Sequence, residues 1–224
     1  HSAYHIPCDE INSLLRDRFN NIWLGSIGGG VLMIDTKQSP FAFYSLNLAE
    51  DDVPTTAVRA LFADADKDLW LGTGSYGLAR KDYETGVLSF FSHIPEFSDI
   101  PGVPTVNYII QRKNGEVWFA TYDGGILIYE KGEKVKVLTE SDTPYLYSDC
   151  VSALCEDSKG NCWVGCRGGM GISLADGGHY RFGTLSFAGG GLADWYHVKD
   201  IVEDADGSFW IATANYGIIH IMGD

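Results

Sequence analysis

Basic side chains are scarce in this sequence: 16 Lys and Arg stand against 30 Asp and Glu over 224 residues, a formal charge of −14. A phosphate backbone rewards cations and repels such a surface, so nucleic acid is a poor partner. Anionic membranes and densely sulfated glycans are disfavoured on the same ground. Long apolar runs are missing as well. No stretch reaches the roughly 20 apolar residues that span a bilayer as a helix, and no direct membrane insertion of this segment is expected. No window carries the 3.6-residue periodicity of an amphipathic helix. The cysteines are few and odd in number (Cys8, Cys150, Cys155, Cys162, Cys166), and their irregular spacing argues against zinc. A leading Met and a secretory signal are absent; a chain opening His1-Ser2 reads as a processed product or an excised piece. What is present is 45% hydrophobic and 13% aromatic residues with 27 Gly. That is too apolar for disorder and sufficient for one sizeable domain without staples.

The chain repeats itself. Trp23, Trp70, Trp118, Trp163 and Trp210 are spaced 47, 48, 45 and 47 residues apart. Each is followed by an apolar residue, then Gly or Ala, then a small residue. Gly30, Gly77, Gly125 and Gly217 lie seven residues after the Trp, and Gly171 eight after, which reads as a one-residue insertion in the fourth copy. Asp17, Asp64, Asp157 and Asp204 lie six before it, with Arg112 the exception. Apolar pairs precede these, as in Val58/Leu61 and Val198/Ile201. Turn signals separate short strand-like runs, which predicts four antiparallel strands per unit of about 45 residues, the blade of a β-propeller. The expected blades cover about 11–46, 58–92, 106–138, 151–187 and 198–222, with a further N-terminal strand over 3–6 and no fourth strand in the fifth blade. One propeller domain over 1–224 follows, either a closed five-bladed ring or part of a larger one. A four-residue first turn would set Leu14, Leu61, Ile109, Leu154 and Ile201 opposite the Trp, and pair Cys155 with Cys162. That pair is open to a cross-strand disulfide or, as the apolar residues of other blades favour, to two buried thiols.

The columns Val58-Arg59-Ala60-Leu61-Phe62-Ala63-Asp64, Leu69-Trp70-Leu71-Gly72-Thr73 and Gly77-Leu78 resemble the two-component regulator propeller repeat, and the resemblance recurs in all five copies. It departs at Arg112, Ala120, Ala212, Cys166 and near Met170. The resemblance implies the periplasmic sensor part of a hybrid two-component histidine kinase that detects glycan fragments and regulates polysaccharide utilisation. It also implies more than five blades, a kinase elsewhere in the parent protein, and a homodimer in the parent receptor.

The repeated Asp column reads as scaffold, since an Asp before a tight turn accepts backbone N–H bonds. Asp64–Asp68 mimics the opening of a calcium loop, but Ser75 stands where its bidentate Glu belongs. No catalytic pairing, metal set or cofactor motif is readable. The loops outside the repeat columns gather Trp195, Tyr196, His197, Tyr145, Tyr147, Tyr76, Tyr122, Asp123, Arg167, Asn215 and Tyr216, expected on one rim. Aromatic faces for sugar C–H surfaces, with polar groups for hydroxyls, suit a neutral oligosaccharide; the alternative for each ring is packing under its own loop. The favoured reading is a non-enzymatic extracytoplasmic sensor. Its rivals are a propeller enzyme, streptogramin-lyase-like or glycan-cleaving, and a protein–protein scaffold.

Overall fold

The computed structural model describes residues 10–27, 30–34, 42–44, 57–74, 76–100, 102–182, 185–186, 192–193, 197–214 and 216–222. Its strands form antiparallel blades in sequence order. Blade one is β1 (Ile11–Arg16), β2 (Ile22–Ser26), β3 (Gly30–Ile34) and β4 (Ala42–Tyr44). Blade two is β5 (Val58–Ala63), β6 (Leu69–Thr73), β7 (Leu78–Lys81) and β8 (Leu88–Phe90). Blade three is β9 (Val106–Gln111), β10 (Val117–Thr121), β11 (Ile126–Tyr129) and β12 (Lys136–Leu138). Blade four is β13 (Val151–Glu156), β14 (Cys162–Cys166), β15 (Gly169–Ser173) and β16 (His179–Phe182). A separate hairpin, β17 (Leu185–Ser186) with β18 (Leu192–Ala193), follows it. The fifth sheet holds β19 (Val198–Glu203), β20 (Phe209–Thr213) and β21 (Gly217–Ile221), three strands among the described residues. The expected strand over 3–6 lies outside the described residues. Two short 3₁₀ turns, Phe91–His93 and Pro95–Phe97, interrupt the blade two to blade three connection. Two compact units make up the chain, residues 1–109 and 110–224, and the division falls inside β9.

The first hairpin of every blade closes through a three-residue loop, not four. Asp17 N–H donates to Asn21 O (2.9 Å) and Asn20 N–H to Asp17 O (3.0 Å), and the same pair of bonds recurs at Asp64/Asp68, Arg112/Glu116, Asp157/Asn161 and Asp204/Ser208. This loop needs a left-handed residue before the second strand. Asn20, Lys67, Gly115, Gly160 and Gly207 fill that place with φ between 75° and 97°. The shorter loop moves the register by one: Leu15, Phe62, Cys155 and Val202 face the Trp, where Leu14, Leu61, Leu154 and Ile201 were expected. Cys155 therefore faces Trp163 and Cys162 faces Glu156, so the two thiols are not a cross-strand pair, and both are free. Burial pushes them up, Cys155 to about 11 and Cys162 to about 12. The fourth blade corrects a second expectation. Cys166 pairs with Gly169, and Ile172 faces Trp163. The turn there is one residue shorter than in the other blades, not longer, and β15 starts at Gly169.

The Asp column does more than hold its turn. Asp17 Oδ1 accepts Phe19 and Asn21 N–H (both 2.9 Å), while Oδ2 accepts the Trp23 indole N–H at 3.0 Å. The indole bond recurs from Trp70 to Asp64 (2.8 Å), from Trp163 to Asp157 (3.0 Å) and from Trp210 to Asp204 (3.0 Å). In blade three, where Arg112 replaces the Asp, Glu116 Oε2 takes the Trp118 N–H at 3.0 Å. Arg112 lies over the Trp118 ring at 4.9 Å and 3.7 Å from Glu116. Burial pushes the Asp157 carboxyl up, but hydrogen bonds from Trp163 and Asn161 outweigh it and hold the group below its ordinary value. At Asp64 burial, with the charges of Asp68 and Asp66, wins, and the carboxyl is raised.

Neighbouring blades interlock through a glycine on three of the Trp strands. In the first unit Val58 seats on Gly25, where a Cβ would meet Val58 Cγ1 at 2.9 Å, and Val106 seats on Gly72, where a Cβ would meet the Val106 carbonyl oxygen at 2.7 Å. Trp23, Val31, Val58, Leu69, Leu71, Ala79 and Phe90 form the core there. In the second unit Val198 seats on Gly165, with Ala153, Met170, Ile201, Phe209 and Ile211 around it. Carboxylates clasp the outer edges: Glu156 Oε2 accepts Lys113 N–H (2.6 Å), and Glu203 accepts both the N–H and hydroxyl of Ser158 (2.7 Å each).

Gly72→Ala is expected to cost about 1–3 kcal/mol of stability by overpacking this seam, read from urea unfolding followed by tryptophan fluorescence. Asp157→Asn should cost about 1.5–3 kcal/mol at neutral pH by weakening a charged hydrogen-bond set. The folded carboxyl is depressed, so its contribution is present above the unfolded value near ~3.9 and disappears as pH falls through the folded one. The acid limb of a stability–pH curve should therefore be flatter in Asp157→Asn than in the wild type.

Candidate functional site

The turns after the Trp strands and the lead-ins to each blade share one edge of their sheets, opposite the Asp turns. A hydroxyl organises these turns: Thr73 Oγ1 accepts Tyr76 N–H (3.0 Å), Thr121 Oγ1 accepts Gly124 N–H (2.9 Å) and Thr213 Oγ1 accepts Tyr216 N–H (3.0 Å). Each turn is also bonded to a lead-in. Arg167 N–H donates to Cys150 O, Ala214 N–H to His197 O and Gly125 N–H to Asp149 O, all at 2.9 Å. These bonds hold the rim residues on backbone already fixed by the blades.

In the first unit Tyr76 stands at this edge, with its ring edge-on to Phe90 at 6.0 Å. In the second unit several candidates converge. Arg167, exposed in the turn between β14 and β15, forms an isolated β-bridge with His197. Ser148 Oγ donates to Arg167 O at 3.1 Å. Burial depresses the His197 imidazole below its ordinary value, and the positive charges of Lys199 and Arg167 depress it further. Its Nε2 is buried and has no hydrogen-bond partner among the described residues. Burial and Asp123 raise the Cys150 thiol against the pull of Arg167 and Lys199. Arg167 and Lys199 thus act on both His197 and Cys150, and Asp123 acts on Cys150. Tyr122 and Tyr216 stand at the same edge, each 45% exposed.

Two other tyrosines pack instead of facing outward. The Tyr147 ring lies on Gly168-Gly169, where a Cβ at 169 would meet ring Cδ2 at 2.5 Å. Tyr145 is half-buried, its carbonyl lies against Gly171, and burial pushes its hydroxyl up to about 12. Trp195, Tyr196 and Asn215 lie outside the described residues. Cys150 and Lys199 are rim residues that the loop reading missed. A positional signal existed, because each flanks the buried Val that starts a blade (Val151, Val198).

Chemically, the arrangement offers cations, a carboxylate and exposed phenol rings around a neutral imidazole. Such groups recognise hydroxyls and flat faces. The raised thiol of Cys150 is a poor nucleophile. Among the described residues the charges acting on His197 are those of the cations Lys199 and Arg167. Among the described residues no group of three His, Cys, Asp or Glu side chains is placed to hold a metal ion, and no helix is long and apolar enough to cross a membrane.

Comparisons with known proteins place this geometry. The model of the two-component regulator propeller matches residues 5–28 and 148–168. No curated protein matches the sequence. Among solved structures, the extracellular domain of a hybrid two-component system from B. thetaiotaomicron is similar at 17% identity and TM-score 0.73, over 96% of this chain and 28% of that one. PorZ, a surface component of the type-IX secretion system of Porphyromonas gingivalis, is similar at 19% identity and TM-score 0.65, over 94% of this chain and 32% of that one. Virginiamycin B lyase from Staphylococcus aureus is similar at 16% identity and TM-score 0.66, over 94% and 69%. The chain spans under a third of the length of the first two. At these identities the likeness establishes the propeller fold.

The His197 environment has a measurable consequence. Its depressed folded value means that the unfolded chain binds a proton first as pH drops below about 6.5. Stability should then fall between that pH and the folded value. Urea midpoints at about pH 7 and pH 5 should show this loss in the wild type and a smaller one in His197→Gln.

Proposed function

We propose that this chain, in which the two-component regulator propeller model matches residues 5–28 and 148–168, is a non-catalytic sensing propeller from the extracytoplasmic part of a two-component receptor. Its ligand is a neutral glycan fragment taken on the rim where Tyr122, Asp123, Arg167, His197 and Tyr216 stand. The observation that carries this reading is the division of labour between columns and loops. Every titratable group repeated in the blades is consumed by its turn and its Trp. Five unrepeated polar and aromatic groups, Tyr122, Asp123, Arg167, His197 and Tyr216, stand at one edge of the second unit, and four of them, Tyr122, Asp123, Arg167 and Tyr216, are exposed. Phenol rings supply stacking faces, and Arg167 with Asp123 supplies hydrogen bonds for hydroxyls. The acidic net charge favours a neutral ligand over an acidic one. A pair of such domains in one receptor gives the signal two coupled inputs, so the parent protein works as a homodimer.

A thermal-shift screen against neutral oligosaccharides tests the reading. A true ligand at about 100 times its Kd adds about 2.7 kcal/mol and raises Tm by several degrees. Tyr122→Ala and Arg167→Ala should abolish most of that rise while leaving the unliganded Tm within about a degree, since both side chains are exposed. A panel of neutral glycans producing no shift would remove the glycan assignment.

A further inference from the structure

The first unit holds a cleft that the rim does not use. It lies at the Asp-turn edge, between the first hairpin of blade one and blade two, and encloses about 230 Å³. Trp23 and Leu69 line it, and Phe19 and Tyr83 form an aromatic wall of two stacked rings, parallel within 3° with centroids 5.8 Å apart. Both rings are open, Phe19 41% and Tyr83 44% exposed. An apolar cavity of about 150 Å³ accepts benzene, whereas drug-sized ligands need roughly 300 Å³ or more. The volume therefore suits a single six-membered ring.

The charges of the cleft are unequal in what they can still do. Asp17 spends both oxygens on Phe19, Asn21 and Trp23, and Asp82 accepts the N–H and hydroxyl of Thr85 (2.8 and 2.7 Å) on one oxygen, Oδ1. The Lys67 ammonium lies 4.5 Å over the Tyr83 ring and 5.9 Å over Phe19, with no salt bridge to a described carboxylate. Lys81 lies 5.4 Å over Trp23, and the Arg18 guanidinium reaches Ala65 O at 3.3 Å. The lining thus sets three cations, Arg18, Lys67 and Lys81, against two carboxylates, Asp17 and Asp82, beside an aromatic wall.

Lys67 adds a separate argument. It occupies the left-handed turn position that Asn or Gly fills in the other four blades, at φ 77°. A long side chain there carries a backbone strain that Gly avoids. The turn has no need of a Lys, and the side chain it supplies is the one that caps the wall.

We propose that this cleft is a second ligand site, taking a small ring-bearing carboxylate whose ring lies along Phe19 and Tyr83 and whose carboxylate pairs with Lys67. The site is independent of the glycan rim, and its failure would leave that reading untouched. Two ring sources share this chemistry, an aryl carboxylate and a uronic acid, so benzoate and glucuronate are the probes, with benzyl alcohol as the uncharged control. Amide NMR titration should shift the signals of Phe19, Lys67 and Tyr83 with at least one of the two acids. Lys67→Gly should weaken that binding about fivefold or more while leaving Tm equal or higher, because the strain is relieved. Phe19→Ala should weaken it similarly, and raising NaCl from about 0.05 to about 0.5 M should weaken it in the wild type. Silence of those amides with both acids, unchanged affinity in Lys67→Gly, or benzyl alcohol binding as tightly as benzoate would overturn the proposal.

Discussion

An indole N–H inside a β-sheet stack must find an acceptor, and that requirement organises each blade. A carboxylate six residues upstream supplies it in four blades. It reaches the indole because a three-residue loop carries the chain back at the right height. The same carboxylate receives backbone N–H groups of the loop, so turn geometry and core polarity are settled together. Blade three shows that the requirement is for the acceptor and not for its position. Arg112 removes the usual Asp, Glu116 caps Trp118 from two residues away, and Arg112 covers the ring and neutralises the Glu. A buried donor left unsatisfied costs about 1–3 kcal/mol, enough to explain why the substitution comes with its compensation.

Because each carboxylate is spent on its own blade, the repeat columns have nothing left for a ligand. Recognition has to come from positions free to vary. The rim of the second unit and the cleft of the first unit both meet this condition, by different means. On the rim, backbone bonds between turns and lead-ins fix loops whose side chains remain open. In the cleft, one turn tolerates a strained Lys67 whose ammonium lies over two exposed rings.

The architecture was legible in the sequence because its signals are local and repeated. Trp spacing, the Asp turn and the apolar pairs identify strands without reference to anything distant. The register was not, since a loop of three residues and one of four differ only in a left-handed residue, and Asn20 and Lys67 hide that where Gly115 shows it. The one-residue error decides chemistry: it set Cys155 against Cys162, whereas Cys155 faces Trp163. The fourth blade misled in the same way, because Gly171 resembles the turn Gly while Gly169 takes its pairing position and Gly168 its left-handed φ.

Of the candidate side chains, the sequence could name aromatic and charged residues outside the repeat but not their use. Tyr147 and Tyr122 look alike on paper; one packs on a glycine pair and the other stands open. Likewise Lys67, a turn residue by position, becomes a cleft residue only through Phe19 and Tyr83, one of them from the neighbouring blade. What the sequence alone determined is the blade, because hydrogen bonding within 45 residues satisfies it. What tertiary structure decided is every contact between blades, because packing of one sheet on the next depends on distances that no local pattern encodes.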